Sequence, residues 1–260
     1  MADHKNIVRQ QFGTRAERYV KSVDHRAGES LDRLIELTRP QPSWRALDVA
    51  TGGGHTALAV SRFVAEVVAA DITPEMLIAA GKFIAGQGQT NVAFREADAM
   101  ALPFGDAGFD LVTCRLAPHH FADVGRFVRE CARVVKPGGA VAVIDNTVPN
   151  DPQAAQYIND FEKLRDPSHQ REYSLEAWIG FFEAAGLTVE AAEAFRKPIG
   201  FDSWADRMDV PPEMKARLKV MLLDAPEAAR EWLTPEGEGA ELKFYLGEGL
   251  VIGRRLAVAG

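Results

Sequence analysis

Short apolar runs at 45–50, 67–72, 92–97, 109–114 and 140–146 predict five strands. The stretches between them have helical character at 55–64, from Thr73 to about 85, and over 122–135. Thr73-Pro74-Glu75 places an N-cap residue, a proline at the first helical position and an acid in the first turn. Gly86-Gln-Gly88 stops that helix, and Lys136-Pro-Gly-Gly139 is expected to end the next. Upstream, residues 5–38 look helical. Ala27, Leu31, Leu34, Ile35 and Leu37 recur at roughly helical spacing, and the prolines of Arg39-Pro-Gln-Pro42 close the segment. Downstream the pattern loosens. A helix is expected at 151–165, a loop at 166–173, and a helix at 174–185 with Ser174 as N-cap and Gly186 as stop. A strand at 187–194 and two or three short helices within 200–235 follow. The last strand or hairpin falls in 241–258, with Gly247-Glu-Gly249 as a kink or turn.

Strands alternating with helices predict an α/β fold with a parallel, doubly wound sheet joined by right-handed crossovers. Such sheets bind ligands beyond the carboxyl ends of their strands. Asp48, Asp71, Asp98, Cys114 and Asp145 all fall at or near those ends. With no internal repeat, one domain carrying helical insertions is preferred over two domains.

Composition narrows the function. The chain has 260 residues, 47% hydrophobic and 26% charged, which is ordinary for a globular protein. A net charge of −7 disfavours nonspecific binding to nucleic acid or anionic membrane. Two cysteines, Cys114 and Cys131, make no disulfide framework and suggest a reducing compartment. The polar N-terminus and the lack of a long apolar run lead to the expectation of a cytoplasmic protein without membrane insertion.

The chemistry concentrates at Asp48-Val-Ala-Thr-Gly-Gly-Gly54, where an apolar strand runs into three glycines and then a helix. Glycines let the backbone turn tightly and approach a ligand closely. Asp71 ends the second strand, where an acid can accept from ribose hydroxyls. Gly52-Gly-Gly54-His-Thr-Ala57 also fits the dinucleotide fingerprint. Charge separates the two readings. A pyrophosphate about 5 Å from Asp48 is repelled by roughly 3 kcal/mol at an effective dielectric near 20. A sulfonium and an ammonium are attracted, so the carboxylate favours S-adenosyl-L-methionine. Asp48 can also brace the glycine loop.

Four pieces occur in order: the Asp48–Gly54 loop, Asp71-Ile-Thr-Pro-Glu-Met76, Asp98-Ala-Met-Ala-Leu-Pro-Phe104 followed by Phe109-Asp110, and Val134-Val-Lys-Pro-Gly-Gly139. Together they resemble the class I S-adenosylmethionine-dependent methyltransferases, in particular the ubiquinone/menaquinone-biosynthesis branch. The likeness covers roughly 40–146. Ala50 departs from it, standing where the family's loop often begins with Gly. The resemblance implies a Rossmann-like seven-stranded sheet, mostly parallel with the last strand antiparallel, plus helical lid insertions. It implies one methyltransferase domain over 1–260, with its core at about 40–146 and 174–260 and lid elements at about 1–38, 150–173 and 200–235. By position, Gly52 and Gly54 would pass the methionine moiety, Asp71 would hold the ribose, and Ile72 and Met76 would lie against the adenine. Asp98 would accept from the adenine amino group, with Ala99 beside it. Asp110, at the other end of its strand, is expected to be structural.

Methyl transfer needs alignment and a dry site, and a base only when the acceptor must lose a proton. Arg115-Leu-Ala-Pro-His-His-Phe121 follows the fourth strand. His119 or His120 can serve as base or orient the acceptor. Alternatively, one caps the next helix and the other packs on the cofactor. Arg115 can pair with an acidic acceptor group or with the cofactor carboxylate. The adjacent histidines lack the spacing of a metal site, and Cys114 is expected to pack rather than react. Phe12 and Tyr19 are lid candidates over the cofactor, and Tyr157, Phe161, His169 and Tyr173 can join them. Trp178, Phe181 and Phe182 read as core. The expected function is methylation of a small, partly apolar or aromatic molecule. A nicotinamide-dependent oxidoreductase and a non-catalytic S-adenosylmethionine-binding protein are the alternatives.

Overall fold

The computed structural model describes residues 2–13 and 28–257. Residues 14–27, Tyr19 among them, lie outside the described residues. Within them the expected 5–38 helical segment comprises α1 (Ala2–Gly13) and α2 (Glu29–Thr38). The sheet then builds in order: β1 (Arg45–Val49), α3 (His55–Ser61), β2 (Glu66–Asp71), α4 (Pro74–Gly86), β3 (Val92–Glu96), β4 (Phe109–Arg115), α5 (Val124–Val134) and β5 (Val135–Thr147). The remainder is α6 (Pro152–Arg165), α7 (Leu175–Ala184), β6 (Leu187–Gly200), α8 (Phe201–Asp206), α9 (Pro212–Leu223), α10 (Glu227–Leu233) and β7 (Lys243–Arg255).

The seven strands lie in the order β3-β2-β1-β4-β5-β7-β6. Pairing is parallel from β3 through β5, and β7 runs antiparallel to both its neighbours. The strand order reverses between β1 and β4, so the ligand crevice opens beyond their carboxyl ends. Alternation on the strands feeds two faces. Ala46, Val67, Leu111 and Ala140 belong to the side that buries Leu58 and Val60 of α3 and Ile84 of α4. Leu34 of α2 buries on Ala142 and Ile144 of the same sheet face. Leu47, Val68, Val112 and Val141 pack with Phe127 of α5 and with Trp178 and Phe182 of α7. A separate core joins α6, α8, α9 and α10 to the far ends of β6 and β7. In it Phe161 stacks on Trp204 at 4.7 Å.

Three local expectations are corrected. Lys136–Gly139 does end α5, but as an insertion inside β5: Phe109 pairs with Val135 and Leu111 with Ala140, leaving four residues opposite Asp110. Asp110 holds this bulge, accepting from Lys136 Nζ at 2.8 Å and from the Arg45 amide at 2.9 Å. β6 runs on to Gly200 because its second half pairs with β7 residue by residue. Gly247 and Gly249 are not a turn but lie inside β7. A Cβ on Gly247 would collide with the Trp232 ring and stand 2.8 Å from Thr147 Oγ1, so glycine there serves close packing. Thr73 does occupy the N-cap position of α4, without a side-chain capping bond.

Candidate active site

The β1–α3 loop is held from behind by Asp48. Its carboxylate is buried and accepts from Thr51 Oγ1 at 2.6 Å and Thr113 Oγ1 at 2.7 Å. Burial pushes Asp48 up to about 6, against the pull of those hydroxyls and the Ala57 amide. Asp71 holds the loop from the side, accepting from the Gly52 amide and from the Thr73 amide, both at 2.9 Å. Burial raises Asp71 as well, against those two backbone bonds. The loop starts on Ala50, whose φ of 52° is left-handed, a conformation that disfavours a side chain. Gly52 shares it at 52°, and a Cβ there would meet nothing within 4 Å. Gly54 differs. Its missing Cβ would stand 2.9 Å from Ile84 Cδ1, so it packs on α4.

In front of this loop lies a cavity with about 740 Å³ of empty space. Ala50, Gly52, Asp71, Ile72, Met76 and Arg115 line it, with Phe12 of α1 across the mouth. A side chamber shares Ala50, Ile72, His120 and Phe121 with it and brings in Asp98 and Ala99. There the Asp98 carboxylate accepts from the Met100 amide at 3.0 Å. Arg9 of α1 donates to the Ile72 carbonyl at 3.0 Å and to Glu96 at 2.8 Å, fastening the helix over the crevice. Asp48 and Gly54 line neither cavity, so their part is to shape the loop.

Beyond β4 the chain turns at Leu116, φ 52°, into a 3-10 turn at Pro118–His120. The helix that follows is capped by Asp123, which accepts from the Arg126 amide at 2.8 Å, so neither histidine is a cap. The two rings lie 4.2 Å apart yet sit in opposite environments. His119 Nδ1 is 2.6 Å from Asp145 Oδ1 on β5. Burial opposes its charge, but the carboxylate outweighs burial and holds His119 at about 9. His120 is pushed down to about 3 by burial and then by the neighbouring imidazolium. Its ring takes the edge of Phe12 at 5.0 Å.

A third cavity, with about 640 Å³ of empty space, meets the first at Phe12, Leu116 and His120. It brings Trp204, Ile199 and Leu246 together with Arg165, Lys197, Arg207, Asp166 and Glu248. His119 faces only this chamber, whereas His120 lines all three cavities. The chamber was not legible from sequence, because its charged residues come from α6, the 166–173 loop, β6, β7 and the residue after α8. Of the suggested lid aromatics, Phe161 is core, Tyr157 donates to the Met221 carbonyl at 2.7 Å, and Tyr173 packs edge-on to Phe181. His169 is buried against Asn159, Nε2 to Oδ1 2.9 Å. Cys114 is buried, and burial raises its thiol. Among the described residues no group of histidine, cysteine and acid side chains could hold a metal ion, and no helix is long and apolar enough to cross a membrane.

A family model described as a methyltransferase domain matches residues 47–143, the stretch from β1 to β5 that builds the cofactor-side cavities. The uncharacterized methyltransferase YcgJ of Bacillus subtilis is 38% identical over 90% of this chain and 94% of its own length. A demethylmenaquinone methyltransferase of Thermus thermophilus is 41% identical over 44% of this chain and 52% of its own. The crystal structure of a Bacillus halodurans protein assigned as a methyltransferase superposes with a TM-score of 0.85 at 35% identity, covering 88% of this chain and all of that one. With this sheet order, this loop and these relatives, the chain belongs to the class I S-adenosylmethionine-dependent methyltransferase family.

Proposed function

We propose that the protein transfers the methyl group of S-adenosyl-L-methionine to a small molecule that loses a proton as it is methylated. The observation that carries this reading is the position of His120 on the wall of both the cofactor-side cavity and the mixed-polarity chamber behind it. The residues present fit the cofactor. Gly52 leaves open space where a side chain would project, Asp71 stands at the end of β2, and Ile72 and Met76 offer an apolar wall. Asp98 and Ala99 in the side chamber suit the far end of an adenosyl group. When bound, this group supplies a methyl carbon activated by a positive sulfur, which leaves with its bonding pair as the acceptor's electron pair forms the new bond.

The chain's own residues supply the rest. The chamber's Trp204, Ile199 and Leu246 favour a partly apolar acceptor, and its charged residues orient it. Environments that drive two neighbouring groups apart assign their roles. His119, held at about 9, is an imidazolium at neutral pH whose charge faces the chamber and favours an acceptor that becomes anionic. His120, held at about 3, is neutral, and it takes the proton only from an acceptor that becomes strongly acidic as its bond to carbon forms. α1 and the α8–α10 segment act as the covers that exclude water. Calorimetric titration with S-adenosylhomocysteine tests the cofactor assignment. Binding in the micromolar range is expected, and Asp71→Ala, which frees the Gly52 and Thr73 amides, weakens it at least about tenfold, the loss of one charge-assisted hydrogen bond. Folded protein that takes up no S-adenosylhomocysteine overturns the reading.

A further inference from the structure

The 166–173 loop has no part in the cofactor cavity, yet two of its residues are buried and aimed at His120. Ser168 is fully buried and Asp166 nearly so. Ser168 Oγ lies 3.2 Å from His120 Nδ1 and 2.6 Å from Asp166 Oδ1. A hydroxyl has one proton to give, and a carboxylate can only accept. Burial opposes the charge of Asp166, but the Ser168 hydroxyl and amide and the nearby Arg165 favour the ionised carboxylate. The Ser168 proton therefore belongs to Asp166, and Ser168 Oγ must receive a proton from His120 Nδ1. The Ser168 amide in turn donates to Asp166 Oδ1 at 2.8 Å, closing a tight turn that fixes both partners.

We propose that Ser168 and Asp166 are positioning residues that lock His120 as the Nδ1–H tautomer, making Nε2 the nitrogen that accepts the acceptor's proton. This rests on the methyltransferase reading for the reaction, but the tautomer itself does not. In the step, the acceptor's proton passes to Nε2 while the electron pair it leaves bonds to the transferred carbon. The resulting imidazolium keeps its Nδ1–H on Ser168 Oγ, and Asp166 balances its charge through the hydroxyl. Water takes the proton once product has left. Each histidine in the pair thus answers to its own acid, His119 to Asp145 directly and His120 to Asp166 through one hydroxyl. The arrangement matches the general rule that the hydrogen bond on one ring nitrogen decides the state of the other.

Ring 15N NMR on the full chain at pH 7, with and without S-adenosylhomocysteine, tests the proposal. The signals of His120 are identified by their loss in His120→Gln. The expected result is a protonated Nδ1 and an unprotonated Nε2 in the wild type. Ser168→Ala loses this tautomer preference, and Ser168→Thr, which restores the hydroxyl, regains it. A wild-type His120 protonated on Nε2 overturns the proposal, and so does a Ser168→Ala protein whose tautomer is unchanged. The wild-type spectrum decides even where a variant does not fold. Failure of S-adenosylhomocysteine to bind in calorimetry counts against the methyltransferase reading alone, whatever the ring spectrum shows.

Discussion

The His119–Asp145 pair makes the stability of this fold depend on pH in a way that one substitution isolates. Asp145→Asn keeps the shape of the side chain and removes its charge. The Asp145 side chain is fully buried, whereas His119 keeps one edge on the third cavity, so the pair is screened by solvent from one side alone. Holding a histidine at about 9 instead of 6.5 is worth about 3 kcal/mol at about 1.4 kcal/mol per pH unit. A folded-state value above the unfolded one stabilises fully below pH 6.5 and is lost as pH rises through about 9. In Asp145→Asn, burial is opposed only by the more distant Glu172 and Asp166, and the folded ring loses its proton well below 9. Urea unfolding at pH 6, 8 and 10 should therefore show the variant about 4 kcal/mol less stable at pH 6, with the gap shrinking by the linked ~3 kcal/mol to about 1 kcal/mol, one neutral hydrogen bond, at pH 10. Glu172, which burial and then Glu162 raise to about 8, also feels His119 and Asp145, so both proteins are compared in a Glu172→Gln background, where that group cannot titrate. A gap that stays constant across this range, or a wild-type His119 titrating near 6.5 by NMR, would refute the assignment.

Two further substitutions probe the backbone. Ala50→Gly removes a left-handed alanine that costs about 1–2 kcal/mol, against about 0.5–1 kcal/mol of added chain entropy. A net gain of up to about 1 kcal/mol, or a melting temperature higher by about 2–4 °C, is expected with S-adenosylhomocysteine affinity unchanged, and a lower melting temperature contradicts the strain argument. Gly247→Ala drives a methyl group into Trp232 and Thr147, and calorimetric melting should register about 1–3 kcal/mol of overpacking; a neutral result means that the β7 contact is loose.

Much of the cofactor side was legible because its signals are local. The Asp48–Gly54 loop, Asp71 and Asp98 stand at strand ends that hydrophobic alternation marks, and the sheet's topology then gathers them. The oxygens of Asp48 face Thr51 and Thr113 rather than the cavity, so its charge, which the sequence offered as the attraction for a cationic ligand, is spent on bracing the loop. At Ala50 the sequence shows a departure from the family's glycine but not its strain, because a residue's φ is invisible until the loop is built. Gly247 and Gly249 looked like a turn for the same reason: crowding by Trp232 and Thr147 comes from segments far away in sequence. Ser168 and Asp166 gave only a generic turn signal. Their importance comes from the packing of the 166–173 loop against Pro118–His120, where the Gln170 amide donates to the His119 carbonyl at 2.8 Å.

The second hydrophobic core, built around Phe161, Trp204 and Phe244, has a consequence for how such an enzyme diversifies. It shares no buried residue with the core under the β1–β5 half of the sheet. Substitutions in two groups with no common partners add independently. The wall of the third cavity carried by α8 and β6, proposed above to take the acceptor, can therefore be rebuilt, residue by residue, at little risk to the β1–α3 loop. A chain organised this way can acquire a new acceptor by drift in its C-terminal half while inheriting its methyl donor unchanged.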